Sequence, residues 1–217
     1  RAQKVFGDIS PADRAVELAN YCKRHLNTHG EKNELYRIFY YDCPPSSKKL
    51  FHPFLKKQID LSQSSLYTWT NDFFNELKKK RKFALRLGKL ADEQAHYTLN
   101  PNAVKKLCNG TIDFSKITEH DFQIQITQKG VDMKIGLDIA SLAYKKQVDQ
   151  IILISGDSDF VPAAKLARRE GIDFILDPLG SNIKPDLFEH IDGLRTCDKQ
   201  FTSGISYAIA TNAGSAT

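Results

Sequence analysis

The sequence predicts an α/β fold with a mostly parallel, doubly wound sheet, helices on both faces and one inserted segment. Strand and helix patterns alternate over roughly the last 100 residues, which is typical of parallel βαβ units. The clearest strand is residues 151–154, four branched aliphatic residues that predict a strand buried on both faces. A turn containing Gly156, Asp157 and Asp159 follows. A helix then begins, because Pro162 is tolerated in a first turn but would break a helix interior.

The first predicted helix covers residues 12–29. Ser10 can serve as its N-cap, Pro11 occupies the first helical position, and Gly30 follows its end. The apolar residues that recur at helical spacing, and so predict its buried face, are Val16, Ala19, Cys22 and Leu26.

The next part of the chain predicts a strand, a mixed segment, a helix and a second strand. Residues 35–41 are rich in aromatic and β-branched residues, and Asp42 lies where this strand ends. Residues 46–63 have a mixed pattern that is helical in part. Residues 71–82 favour a helix with a lysine-dense polar face, and residues 83–90 alternate with the period of a strand.

The middle of the chain contains the predicted insertion. Residues 91–120 have no clear periodicity and are expected to hold one short helix. Residues 122–127 alternate between apolar and polar side chains and predict a strand that pairs with residues 83–90. A tight turn at 128–130 then leads into a predicted helix at 131–146.

The C-terminal part continues the alternation of strands and helices. A helix is predicted at 161–170, a strand at 172–176 and a short helix at 185–190. We expect residues 1–200 to form one domain, and residues 201–217, rich in Ser, Gly, Ala and Thr, to form a flexible tail.

Composition is that of an ordinary soluble domain, with 41% hydrophobic and 26% charged residues. No apolar run approaches the length that crosses a bilayer and no basic-then-apolar leader opens the chain, so no membrane association is expected. The cysteines have no short-spaced pair, which predicts free thiols, a cytoplasmic location and no zinc cluster. Most of the six isolated histidines are interpreted as surface or loop residues. The chain lacks the Gly-x-Ser-x-Gly, Walker-type and Gly-x-Gly-x-x-Gly motifs, which disfavours the enzymes that use them.

Positive charge is concentrated in the middle of the chain. Residues 48–106 contain thirteen Lys or Arg against five Asp or Glu, a balance of +8, so the remainder carries −3 of the total of +5. A basic surface beside an acidic cluster suits a metal nuclease, although a solvated lysine-rich helix has the same composition. Arg81 and Arg86, within this basic region, are candidate contacts to an RNA backbone. Three aromatic residues could stack on bases or pack in the core: Tyr67, Trp69 and Phe73.

Acidic residues follow two predicted strands across glycine turns. Asp157 and Asp159 lie beyond the end of strand 151–154, where ligands bind in open α/β sheets. They resemble half of a divalent-cation site. In the alternative interpretation, Asp159 caps the next helix and Asp157 accepts backbone N–H groups in the turn. Asp132 occupies the same kind of position after the turn at 128–130. Ser155 could bind a phosphate, support Asp157 or satisfy the strand end.

Two motifs about 25 residues apart make the sequence similar to a known family. Lys-Gly-Val-Asp at 129–132 and Ser-Gly-Asp-Ser-Asp-Phe at 155–160 together resemble the NYN family, the LabA-like relatives of PIN-domain nucleases. The resemblance extends from about residue 35 to residue 194. It also includes Tyr-Tyr-Asp-Cys-Pro-Pro at 40–45, Arg-Leu-Gly at 86–88, Asp-Pro-Leu-Gly at 177–180 and His-Ile-Asp-Gly at 190–193.

The resemblance implies a Rossmann-like, PIN-like sheet and cleavage of RNA that depends on Mg²⁺ or Mn²⁺. By this match, Asp132, Asp157 and Asp159 are the metal-binding and catalytic residues. Carboxylate-bound cations can activate water and neutralise the charge of a phosphodiester. Lys129 is the expected basic residue at the active rim, because its turn delivers it next to Asp132.

The family normally begins with a strand that ends in Asp-Gly, and no such strand precedes Ser10. Two explanations stay open: the strand lies upstream of Arg1, or the site is degenerate.

Three functions are therefore considered. The first is a cytoplasmic endoribonuclease that acts on single-stranded RNA, with a homo-oligomer left open. The second is a catalytically weak NYN module that binds RNA or protein partners in regulation. The third is a phosphatase or nucleotide hydrolase that uses the same cation site.

Overall fold

The computed structural model describes residues 9–28, 31–155, 157 and 159–197. Their Cα positions form two compact units. The first unit contains the described residues of 1–22 and 35–134, and the second those of 23–34 and 135–217. The predicted flexible tail at 201–217 lies outside the described residues, as do Gly30 and Gly156.

The described residues up to 129 form three helices and ten short strands. In chain order these are α1 (Pro11–Arg24), β1 (Asn27–Thr28), β2 (Glu31–Lys32), β3 (Ile38–Asp42), β4 (Lys49–His52), β5 (Lys57–Asp60), α2 (Ser65–Lys78), β6 (Phe83–Leu87), β7 (Lys89–Leu90), β8 (His96–Leu99), α3 (Pro101–Cys108), β9 (Phe122–Gln125) and β10 (Gln128–Lys129).

The described residues from 131 onward alternate between helices and strands. They form α4 (Val131–Tyr144), β11 (Gln150–Ile154), α5 (Val161–Arg169), β12 (Asp173–Asp177), α6 (Pro185–Phe188) and β13 (Gly193–Leu194). Among all described residues, no helix has both the length and the apolar character to cross a membrane.

The strands pair in short sheets. In the first unit β3 pairs with β6 in parallel, with Asp42 opposite Leu87. In the second unit β11, β12 and β13 form a parallel sheet in that order. The pairs β1–β2, β4–β5, β7–β10 and β8–β9 are antiparallel. The α/β class is therefore confirmed as a mixed fold with small sheets.

Helix α2 packs the core of the first unit. Phe73, Phe74 and Leu77 from this helix are buried together with Ala15. The ring of Trp69 stacks on Phe73 with centroids 5.2 Å apart. Phe73 is 2% exposed, so core packing rather than base stacking is its role.

The predicted helix at 71–82 is wrong at both ends. Helix α2 begins at Ser65 because the Ser64 hydroxyl caps it, accepting the Tyr67 N–H at 3.1 Å. The helix ends at Lys78, so the following lysines lie in a turn. Lys82 there adopts a positive φ of 62°.

Three further predictions in the first unit need correction. The mixed segment at 46–63 is an antiparallel hairpin, β4–β5, followed by a 3₁₀ turn. β9 pairs with β8, a strand inside the insertion, and not with residues 83–90. β7, at the end of that region, pairs with β10 instead. His52 is buried and its ring centroid lies 4.2 Å from that of Tyr97, so it is not a surface residue.

The first helix is shorter than predicted. It ends at Arg24 instead of residue 29, because Asn27 and Thr28 form strand β1 with Glu31 and Lys32. Asn and Thr are weak helix formers, which favours an end before them. Val16 is 48% exposed and lies outside the buried face, which contains Ala15 and Ala19.

In the second unit β12 is the middle strand of its sheet, and Phe174 and Leu176 are fully or almost fully buried. β11 is only half-buried along its whole length, so the prediction that both of its faces are buried is wrong. Helix α5 buries Ala164 and Ala167, two small residues on one helix face.

Candidate active site

The loop after β11 holds two of the predicted acids in a chain of hydrogen bonds. Ser155 donates its backbone N–H to the carbonyl of Asp177 at 3.0 Å. The Ser155 hydroxyl accepts the N–H of Asp157 at 3.1 Å, and Oδ1 of Asp157 accepts the N–H of Asp159 at 3.2 Å. Ser155 therefore supports Asp157, and Asp157 in turn orders the backbone at Asp159.

The two acids differ in their surroundings. Phe160 is the N-cap of α5, and no side chain among the described residues caps that helix, so the alternative role of Asp159 as a cap is wrong. The alternative role of Asp157 as an acceptor in the turn is confirmed. Asp157 is half-buried, whereas the Asp159 side chain is 73% exposed and its Oδ1 lies 3.7 Å from Nζ of Lys184. Asp159 is thus the member of the pair that faces solvent.

Asp132 lies in the first unit, in the first turn of α4, and its side chain is exposed. Lys129 precedes it across Gly130, which has a φ of 80°, and is exposed as well. Burial raises the pKa of the Cys43 thiol, and the negative charges of Asp42 and Asp132 raise it further, while a hydrogen bond from the Lys129 backbone lowers it. Asp42 and Asp132 therefore both raise the pKa of the same thiol.

Asp42 is a residue that the sequence placed only at a strand end. Its carboxylate accepts the Tyr40 hydroxyl at 3.1 Å and the Cys43 N–H at 2.8 Å. Beside it, Gly88 allows a close approach, since a Cβ there would lie 2.7 Å from the carbonyl oxygen of Lys129 and 3.0 Å from Sγ of Cys43. Glycine at position 88 thus permits the Lys129 turn to lie against the end of β3.

The two predicted RNA-binding arginines have different environments. Arg81 is exposed in the turn between α2 and β6. Arg86 is half-buried in β6, and its guanidinium carbon lies 5.2 Å from the centroid of the Phe39 ring, within the range of a cation–π contact. Arg81 is therefore the more accessible of the two.

A buried pair in the second unit was missed at the sequence level. Nε2 of His25 lies 2.9 Å from Oδ2 of Asp177. Asp177 ends β12, and its backbone carbonyl is the acceptor for Ser155. Most of the histidines were predicted to be surface or loop residues; His25 lies in the turn after α1 but is buried. The sequence signals for Asp177 were its position after a predicted strand and its place in the Asp-Pro-Leu-Gly motif at 177–180.

Carboxylate oxygens, such as those of Asp157 and Asp159, are the donors that hard cations prefer. Within the described ranges, no three His, Cys, Asp or Glu side chains are grouped so that they could hold a metal ion. Mg²⁺, however, usually binds through one or two carboxylates and completes its shell with water and substrate phosphates. The loop after β11 offers two carboxylates, Asp157 half-buried and Asp159 exposed. Its donor set therefore fits Mg²⁺ or Mn²⁺.

Comparison with known proteins gives one match. The family model described as NYN domain matches residues 31–181, which is more than half of the chain. The matched region contains Asp132, Asp157 and Asp159 and includes residues of both units. No curated protein and no solved structure matches the chain significantly.

Proposed function

Because the chain belongs to the NYN domain family, a family with nuclease-like, RNA-related functions, we propose that it is a metal-dependent endoribonuclease. The observation that carries this proposal is the Asp157–Asp159 loop. It follows a parallel strand at its carboxyl end, is ordered by hydrogen bonds, and lies inside the region that matches the family. Carboxyl ends of parallel strands are where α/β proteins bind their ligands.

In this proposal Asp157 and Asp159 would hold the divalent cation. The role of Asp132 as a third ligand, which the family resemblance implies, stays a prediction. The bound cation would supply Lewis-acid stabilisation of a phosphodiester and activation of water. Ser155 holds the backbone of Asp157 in place. Lys129, with its exposed side chain, contributes positive charge for the phosphate. Arg81 and Arg86 extend the contact along the RNA backbone.

We propose further that both units belong to one NYN domain with a PIN-like, doubly wound sheet. The family match includes residues of both units, and the parallel pairing within each unit supports this arrangement. The four free thiols are consistent with a location in the cytoplasm, which we also propose. Single-stranded RNA is the proposed substrate, since its unstacked bases can be splayed out and stacked on aromatic side chains.

The test compares Asp157→Asn with Asp149→Asn, which removes an equal charge from an exposed residue of the same unit. Cleavage of a single-stranded RNA with Mn²⁺ should fall about 100-fold or more in Asp157→Asn, the scale of losing a transition-state stabiliser. Asp149→Asn should cleave like the parent. Equal cleavage by both variants would remove Asp157 from the mechanism.

Two controls separate the other candidate functions. An RNA that the parent binds but does not cleave, with or without Mn²⁺, would favour the regulatory binding module. Turnover of mononucleotides without cleavage of RNA would favour a phosphatase or nucleotide hydrolase. Chelation with EDTA should abolish cleavage by the parent and leave its folding unchanged.

A further inference from the structure

An open cleft of about 550 Å³ lies beside Asp159 in the second unit. Its lining consists of Asp159, Val161, Pro162, Lys165, Lys184 and Asp186. We propose that Lys165 and Lys184 form a phosphate subsite in this cleft. It would hold the RNA phosphate that neighbours the one cleaved at the Asp157–Asp159 loop. This inference rests on the proposed function and names two substrate-positioning residues for it.

Lys184 forms a long, exposed ion pair with Asp159. Its Nζ lies 3.7 Å from Oδ1 of Asp159, and the two side chains are 70% and 73% exposed. An ion pair this exposed contributes little to stability because water and salt screen it. Lys184 can therefore exchange the carboxylate for a phosphate oxygen at small cost.

Lys165 supplies the second positive charge. It lies on α5 and is exposed, and it forms no ion pair within the part of the chain that the structure describes. The other acid of the cleft, Asp186, has its own basic neighbour, since its Oδ1 lies 3.7 Å from Nε2 of His190. The lining carries two lysines against two acids, and each acid already lies beside a basic group. Among the described residues, Lys165 is therefore the positive charge left to meet an anionic occupant.

The size and position of the cleft identify the class of ligand. Ligand-binding clefts typically measure about 300–1,000 Å³, a range that includes this one. The cleft shares Asp159 with the proposed cation site, so a strand bound at that site can continue into the cleft. The expected substrate is therefore an RNA strand, and a mononucleotide would use only one of the two places.

The test uses the full chain and the double variant Lys165→Gln/Lys184→Gln. A matched control, Lys145→Gln/Arg169→Gln, removes two charges from exposed residues of the same unit outside the cleft. Binding of a single-stranded 2′-O-methyl RNA is measured by fluorescence anisotropy at several salt concentrations in EDTA. The cleft variant should bind about tenfold more weakly, and its log–log salt slope should be shallower by about 0.7, the value for one phosphate contact on a single strand.

The outcomes separate this inference from the proposed function. Equal affinity and equal slope in the two double variants would overturn the subsite, whether or not the parent cleaves RNA. If the parent does not cleave RNA but the two double variants still differ in RNA affinity, the subsite is supported and the nuclease function is rejected. If the parent cleaves RNA, KM for this reaction should be higher in the cleft variant, with little change in kcat. A loss in kcat alone would contradict a positioning role for the two lysines. A difference seen with a mononucleotide and not with the RNA strand would also overturn the proposal.

Discussion

Nε2 of His25 and Oδ2 of Asp177 lie 2.9 Å apart, with 2% and 0% of their side chains exposed. Oδ1 of the same carboxylate accepts the N–H of Leu179 at 3.0 Å. The backbone carbonyl of Asp177 accepts the N–H of Ser155. A buried carboxylate is tolerated only when such partners satisfy it. The pair therefore fastens the end of β12 beside the loop that carries Asp157.

Replacement of Asp177 by alanine should destabilise the protein. We expect the free energy of unfolding to fall by about 3 kcal/mol, because the change leaves the buried His25 without its carboxylate. Urea denaturation followed by circular dichroism measures the change. Asp173→Ala, at the exposed start of the same strand, should cost only about 0.5 kcal/mol. Similar losses in both variants would show that the buried His25–Asp177 pair contributes no more to the free energy of unfolding than an exposed residue does.

Removal of the Ser155 hydroxyl should impair catalysis more than folding. Ser155→Ala removes the acceptor for the Asp157 N–H and should cost about 1 kcal/mol of stability. Under the proposed function, kcat for RNA cleavage should fall about tenfold, because small displacements at a carboxylate proposed to hold the cation are costly. Ser155→Thr keeps a hydroxyl and should recover most of the activity. Failure of the threonine variant to recover it would argue against the hydrogen bond as the cause.

Two glycine-to-alanine changes should have opposite effects on stability. In Gly88→Ala, the new Cβ would lie 2.7 Å from the Lys129 carbonyl oxygen and 2.8 Å from Cγ2 of Val131, so the backbone must move. We expect a loss of about 1–3 kcal/mol in the free energy of unfolding. Gly136→Ala lies inside α4, where a new Cβ would meet no described atom within 4 Å apart from its chain neighbours and the backbone of its own helix. This change should gain up to about 1 kcal/mol. Thermal unfolding of both variants checks the pair, and a stable Gly88→Ala protein would contradict the close packing.

Tyr40 should make the protein sensitive to alkaline pH. Burial raises the pKa of its phenol well above the ordinary value of 10.0, and the neighbouring Asp42 raises it further. Since the folded pKa is the higher one, this contribution is complete below about pH 10 and is lost as the pH rises above it. Between pH 10 and the folded pKa, one such group removes about 1.4 kcal/mol per pH unit. In Tyr40→Phe, the free energy of unfolding should decline less steeply above pH 10 than in the parent, as measured by urea titrations. Parallel declines would exclude Tyr40 as the source.

Local signals in the sequence predicted part of the fold and of the candidate site. Residues 131–144 and 161–169 form helices close to the predicted bounds, because their apolar spacing and the position of Pro162 act within a few turns. The strand at 150–154 and the acids that follow it were also predicted. These short motifs were sufficient to indicate the NYN family, which the family match confirms.

Sequence by itself therefore determined the family, the α/β class and the positions of the acids relative to their nearest strands and helices. Only the tertiary structure decided which strands pair, as in β8 with β9, and which polar residues are buried. His25 and Asp177 are 152 residues apart in the chain, and neither has a local pattern that marks it as buried. The physical reason is that burial and strand pairing depend on neighbours brought together by folding, whereas helix capping and apolar spacing depend on neighbours along the chain.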